Sequence, residues 1–229
     1  QSDRVFIDLL NKVRANQADA QVLSLLNSRY VPNFKPREEE GYIRLTTHNA
    51  MAQQINNAEL EKLPGQTYMF KAVVEGKFPE LSFPTDEVLE LKKDAQVMFV
   101  KNDSSPEKRY YNGMIGRVTA INERGFVVQP KGTNEAIEVA PEEWENNRYE
   151  LDEQTKEIKE VREGLFRQYP IKTAWAITIH KSQGLTFSHA IIDASLSFAH
   201  GQTYVALSRC KTLDGLVLDA TASSPTPSL

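Results

Sequence analysis

Residues 171–187, IKTAWAITIHKSQGLTF, decide the fold. AWAITI at 174–179 reads as a buried strand, and the polar run His180, Lys181, Ser182, Gln183, Gly184 ends it at once. In open α/β sheets ligands bind at the carboxyl ends of strands, where such loops lie. A cation, a hydroxyl, an amide and a glycine in one tight turn supply donors suited to phosphate oxygens. As a bare pentapeptide the same residues also suit an ordinary polar turn capping a helix.

Outward from this stretch the pattern repeats. Upstream, YIRLTT at 42–47 reads as a strand stopping at Thr47-His48-Asn49, and a polar helix over 50–62 follows with Asn49 as its N-cap. Strand, polar turn, helix is the unit of an α/β domain. Downstream come a short apolar strand, AIID from Ala190, a helix over 202–210 (QTYVALSRC) and a last strand at 216–218. On that helix Tyr204 and Ser208 share a face and Arg209 projects near the end. An arginine there either offsets the helix dipole or serves as a finger whose planar fork neutralises a transferring phosphoryl group. Thr47-His48-Asn49 is either a simple cap or a backbone-phosphate contact.

The beginning of the chain reads as helices. Ser2 and Asp3 are capping types before Val5, Phe6, Leu9, Leu10 and Val13, and Asp19 precedes a second helix carrying Val22, Leu25 and Leu26. Pro32, Pro36 and the acids at 38–40 break the pattern. The middle is different. Residues 68–75 alternate as a strand, and from Ala95 the short runs AQVMFV, GRVTAI, FVVQP and AIEVA dominate, with Gly125 placed for positive φ in a hairpin turn. Close-set short strands argue for a small barrel or sandwich. Residues 148–169 alternate in places and predict a long exposed hairpin, with a helix as the alternative. The chain thus leaves an α/β layer near residue 95 and rejoins it near 174.

Composition removes other classes. The 229 residues are 40% hydrophobic and 25% charged, and no apolar run is long enough to span a bilayer. One cysteine, Cys210, excludes an internal disulfide framework and suits a reducing compartment; four histidines without ligand spacing argue against a metal centre. The net charge of −4 hides blocks: 101–131 is locally +3, 138–163 is −6, and 164–211 is +4. Binding to phosphates needs only a local basic surface. There is no G-x-x-x-x-G-K-[ST], no G-x-S-x-G and no G-x-G-x-x-G, and His180 and Ser182, two apart, make a poor dyad. The start at Gln1, with no leader, predicts a piece of something longer.

Taken together in their order, these blocks carry a resemblance. IKTAWAITIHKSQGLTF followed by QTYVALSRCKTLDGLVL resembles motifs V and VI of superfamily-one DNA helicases of the 5′-to-3′ branch, the Pif-type and RecD-like enzymes. RLTTHNAMAQQIN resembles that family's motif IV, and QSDRVFIDLLNKVR the segment leaving the first RecA-like domain. The resemblance implies an α/β fold: a helical connector at 1–40, a RecA-like second motor domain at 41–95 and 174–220, and an SH3-like β-barrel module inserted at 96–173. Composition gives a disordered tail at 221–229.

By motif position, Gln183 and Gly184 would lie beside ATP and Arg209 would be the catalytic finger. Thr47, His48, Asn49, Thr178, His180, Lys181 and Ser182 would line the DNA track. In the insert, Lys108, Arg109, Tyr110 and Tyr111 would add phosphate or stacking contacts, or be a plain surface loop. ATP and Mg²⁺ are the implied cofactors, with the Mg²⁺ ligands on the first motor domain. Single-stranded DNA, DNA junctions and that N-terminal motor domain are the implied partners of a monomer with no membrane role, in bacterial cytoplasm or in a nucleus or mitochondrion. Lacking the P-loop, the chain alone should hydrolyse no ATP. The alternatives are a non-catalytic single-strand-binding module and the motor part of a relaxase or recombination nuclease.

Overall fold

Apolar runs of three to five residues, each stopped by a polar turn, are what a parallel sheet buried on both faces requires. A computed structural model describes residues 2–193 and 202–222, which divide into two compact units. The first holds Gln1–Lys62 and Ala174–Leu229, the second Leu63–Thr173. In the first unit β1 (Ile43–Thr46) lies between β12 (Ala176–Thr178) and β13 (Ala190–Asp193), with β14 (Leu216–Ala220) beyond, all parallel. Their inward side chains, among them Ile43, Ile192, Leu216 and Leu218, are fully buried; each such side chain contributes about 1.5–3 kcal/mol.

Helix α3 (Asn49–Lys62) follows β1 and buries Ala52, Asn56 and Leu60 along one stripe. It starts one residue earlier than expected, so Asn49 is its first residue, not its cap. α1 (Ser2–Arg14) buries Phe6 and Leu9 and packs against α4 (Thr203–Leu207), while Val5 is half exposed. Asp19 caps α2 (Ala20–Asn27), its carboxylate accepting from Val22 N at 2.9 Å. That bond, assisted by Lys12, holds the Asp19 carboxyl below the usual range. Past α2, Tyr30 bridges Leu218 in parallel and the Arg29 guanidinium donates to the carbonyls of Leu216 and Asp214. The segment expected as a connector is therefore built into the sheet's β14 edge.

The second unit begins at Leu63, straight out of α3, and not near residue 95. The reason lies in the pairing. The expected single strand at 68–75 breaks at Ala72, whose N–H turns to Glu87 O at 2.7 Å. β2 (Tyr68–Lys71) pairs with β4 (Val88–Leu91), and β3 (Val73–Gly76) with β10 (Ile158–Gln168). β9 (Glu142–Leu151) and β10 form the long hairpin, paired from Ile158↔Leu151 to Gln168↔Glu142, and no helix occurs there. A bulge between Arg162 and Gly164 kinks β10. A Cβ on Gly164 would stand 2.2 Å from Lys77 O, so only glycine fits.

β5 (Gln96–Phe99), β6 (Ile115–Asn122), β7 (Gly125–Pro130), β8 (Ile137–Glu138) and β11 (Ile171–Thr173) make a five-stranded antiparallel sheet in the order β11-β5-β6-β7-β8. Among the described residues no ladder joins its two edges, so the sheet is open and the expected SH3-like barrel is not seen. β8 is only two residues long and ends the sheet. Phe70, Phe126 and Tyr169 cluster at 4.8–5.4 Å and tie the β2–β4 ribbon to this sheet. Gly125 opens β7 paired with Asn122 and is not among the positive-φ residues, so the expected left-handed turn glycine is an ordinary strand residue. Among the described residues no helix is long and apolar enough to cross a membrane. The expected tail, from residue 223 on, lies outside the described residues.

Candidate functional site

Parallel pairing puts the ends of β1 and β12 side by side. Thr46 is the register partner of Thr178, and Ile179 N donates to Thr46 O at 2.8 Å. The loops carrying Thr47-His48 and His180–Gly184 therefore emerge next to each other at the carboxyl edge of the sheet. Thr47 Oγ1 lies 2.8 Å from His48 Nδ1, and Thr46 Oγ1 donates to His48 O at 3.2 Å. Beside this first loop a recess of about 260 Å³ is lined by Met51, Ile55, Asp193 and the Arg44–Asp219 ion pair.

The second loop is tied internally. Lys181 N donates to Thr178 Oγ1 (3.2 Å), Ser182 N to Thr178 O (3.0 Å), Ser182 Oγ to Ile179 O (2.7 Å) and Leu185 N to Ser182 O (2.9 Å). Gly184 closes the turn at φ +80°, with open space where a Cβ would stand, so the backbone conformation alone demands glycine. His180, Lys181, Gln183 and Gly184 are exposed. Thr178 and Ser182 are buried, Ser182 completely. The structure differs from the expectation for these two in one respect: their hydroxyls are buried and bond within the turn.

Arg209, 27 residues past Ser182, joins the same turn. α4 stops at Leu207 rather than 210, because the amides of Arg209 and Cys210 shift to three-residue turns on Ala206 O and Leu207 O. Phe187 then bridges Cys210, with Phe187 N donating to Arg209 O at 2.7 Å. The guanidinium donates to Ser182 O and Leu185 O, both at 3.3 Å, to Val205 O at 3.1 Å and to Ser208 Oγ at 3.0 Å. Tyr204 lies 5.9 Å below the Arg14 guanidinium. Cys210, next in sequence, is buried, and burial pushes its thiol up, which leaves it a packing residue. Three blocks scattered along the chain thus meet on one edge, presenting a cation, an amide, an imidazole and a guanidinium.

No family model matches the chain. Among curated relatives, the ATP-dependent DNA helicase Pif1 of Psychrobacter sp. (strain PRwf-1) is 32% identical over 92% of this chain and 38% of its own length. The ATP-dependent DNA helicase PIF1 of Rattus norvegicus is 34% identical over 96% of the chain and 34% of its own length. Among solved structures, unliganded Pif1 from Bacteroides sp matches with a TM-score of 0.87 and 39% identity over 97% of this chain and 51% of that one. The chain belongs to the Pif1 helicase family. It spans about a third to a half of the length of these Pif1 relatives. Bacteroides Pif1 bound to ssDNA also matches, at a TM-score of 0.69 and 39% identity over 98% of this chain and 50% of that one.

The other candidates in this Pif1-family chain belong to the second unit. Tyr110 is buried, stacked on Phe99 at 4.2 Å with its hydroxyl on Glu142, and burial pushes its phenol up. It is core, not a stacking platform. Arg109 is drawn back to Asp103 (3.4 Å), and Lys108, at φ +48°, donates to Asp103 O; Tyr111 alone of the four has a free exposed ring. The organiser of this loop is Asp103, which the sequence reading missed. Its buried carboxylate accepts from Ser105 N and Arg109 N. Burial opposes ionisation, yet the hydrogen bonds from Ser105 and Arg109 hold the carboxyl at about 2. The spacing D-x-S was the available signal, since Asp accepting from the amide two residues on is a common turn.

Proposed function

We propose that this chain is the second motor domain of an ATP-driven helicase that moves 5′-to-3′ on single-stranded DNA and opens duplexes and junctions. The observation that carries the reading is the Arg209 guanidinium resting 3.3 Å from the carbonyls of Ser182, in the His180–Gly184 turn, and of Leu185 just after it, beside the Thr47-His48 loop. One edge so holds both a phosphate-neutralising fork and an exposed Lys181 and His180 suited to a nucleic-acid backbone. Gln183 and the backbone of Gly184, exposed and free of neighbouring bulk, fit a nucleotide phosphate, with Arg209 poised to exchange long carbonyl bonds for γ-phosphate oxygens.

ATP supplies the free energy when it sits between this domain and a P-loop-bearing N-terminal motor domain. Arg209 and Gln183 close on the triphosphate from this side, and the turn that carries them also carries His180 and Lys181. Occupancy of the nucleotide site therefore moves the DNA-gripping residues, which is how hydrolysis would become a step along the strand. The Mg²⁺ that accompanies ATP is assigned, as the family resemblance implies, to the P-loop-bearing domain. The intact enzyme is proposed to act as a monomer.

A second reading rests on Arg209 itself: four internal acceptors would also suit a structural staple in a non-catalytic single-strand-binding module. Mixing this chain with a P-loop-bearing first domain, with and without single-stranded DNA, separates the two. DNA-stimulated ATP turnover appearing only in the mixture supports the motor; DNA binding with no turnover in the mixture or in the full-length protein defeats it.

A further inference from the structure

We infer that Asn56 is the positioning residue that sets the His180–Gly184 turn, acting from the far side of β12. The inference rests on the motor reading above for its functional consequence, though not for its geometry. Asn56 sits in the buried stripe of α3, between Ala52 and Leu60, where an apolar side chain would be expected. Its amide meets residues 120 positions away: Nδ2 donates to Ala176 O at 2.9 Å, and Oδ1 accepts from Ala176 N at 2.8 Å and Trp175 N at 2.9 Å.

The pairing of β12 explains why these bonds matter. On its inner side, Trp175 O accepts from Arg44 N and Ile179 N donates to Thr46 O, both at 2.8 Å. Ala176 faces the other way, and β12 is the last strand of the sheet on that side. An open strand edge leaves backbone groups unsatisfied and register loosely specified. One primary amide, offering a donor and an acceptor together, takes the place of the missing neighbouring strand. A leucine would fill the stripe, so the three bonds are what this position supplies.

The consequence reaches the site directly. β12 is only three residues long, and His180 begins two residues after Thr178. The turn's far end is held by Arg209 through Ser182 O. Asn56 fixes the near end, and so the height at which His180, Lys181 and Gln183 stand above the sheet edge. It is buried and its side-chain hydrogen bonds go to backbone groups, so its role is positioning and not chemistry.

The test uses the full-length protein with Asn56→Asp. The carboxylate keeps both amide bonds but turns an oxygen toward Ala176 O in place of a donor. Hydrogen exchange in peptides covering 176–185 is expected to accelerate about tenfold or more, with 190–193 and 216–220 unchanged. DNA-stimulated turnover is expected to fall about tenfold, since displacement of about 1 Å at a reacting group can cost that much or more. The loss should appear mainly in turnover at saturating ATP and DNA and less in the KM for ATP, since the turn is displaced and not removed. Should Asn56→Asp fail to fold, Asn56→Ser, which removes the reach without adding charge, carries the exchange and turnover readouts. Uniform acceleration of exchange across the sheet, or wild-type turnover in a folded variant, overturns the inference. If the wild-type protein shows no DNA-stimulated turnover, the motor reading fails, and the local exchange pattern alone decides whether Asn56 positions the turn.

Discussion

Replacing Arg209 by alanine in the full-length protein separates the two roles its geometry allows. The side chain makes four hydrogen bonds inside its own unit, at 3.0–3.3 Å, and is partly exposed. Long bonds to carbonyls that water can also reach contribute at the low end of the usual range, so losing them together costs about 1–2 kcal/mol of stability. For a domain of this size that lowers Tm by about 2–8 °C. A phosphoryl-neutralising finger is worth much more in rate: a 10³-fold loss is about 4 kcal/mol of transition-state stabilisation. Staple loss leaves a folded protein with nearly full turnover at 25 °C. Finger loss cuts turnover by about 10³ and leaves single-strand binding almost intact. The assay is steady-state ATP hydrolysis at saturating DNA, beside a melting curve and a nucleotide-free binding isotherm. Arg209→Lys sharpens it, since an ammonium restores charge but not the planar fork. A variant that melts several degrees lower yet hydrolyses ATP within about threefold of wild type would refute the finger.

Other expectations are simpler. Lys181→Ala should weaken single-stranded DNA binding uniformly across sequences and reduce the salt slope by about one, read from binding titrations at several salt concentrations. Gly184→Ala, at φ +80° but in open space, should cost about 1–2 kcal/mol, whereas Gly164→Ala, which drives a Cβ against the Lys77 backbone, should cost more and disrupt the bulge; chemical denaturation measures both. Asp103, held at about 2 when folded against about 3.8 unfolded, stabilises the second unit fully above pH 4 and loses that contribution as pH falls toward 2. Melts between pH 2 and 5 should show the decline, and Asp103→Asn should flatten its share of it.

Legibility in the sequence followed the kind of interaction. AWAITI and YIRLTT were readable because strands buried on both faces need unbroken apolar runs, and the polar residues that stop them mark the sheet edge. The meeting of Arg209 with the His180–Gly184 turn agrees with the order of the blocks, but the premature end of α4 that aims the guanidinium depends on the Phe187–Cys210 bridge, a tertiary contact. Thr178 and Ser182 looked like donors offered outward; the burial of β12 on both faces and the tightness of the turn hide them. Tyr110 was misplaced for a related reason, since its neighbours Lys108, Arg109 and Tyr111 suggested a wet loop while Phe99 waited beneath it. The break at Ala72 left no local mark, because which partner each half of 68–76 takes is settled by strand residues 17 to 94 positions further on. Asn56, like Asp103, left a visible clue, an amide in an otherwise apolar stripe.

The placement of the second unit between α3 and β12 also bears on how the protein reaches its native state. A crossover that normally takes a dozen residues here encloses residues 63–173, and leaving so long a span unstructured while β12 docked would add a few kcal/mol of chain entropy over a short link. Were the enclosed strands to assemble first, that penalty would shrink, because their own ends would already be fixed. β12 would then be the last strand to join the parallel sheet, and the edge carrying the His180–Gly184 turn would mature only after its guest had folded. Slow or failed maturation of that guest should show itself as a protein that keeps β1, β13 and β14 but leaves the His180–Gly184 turn unformed.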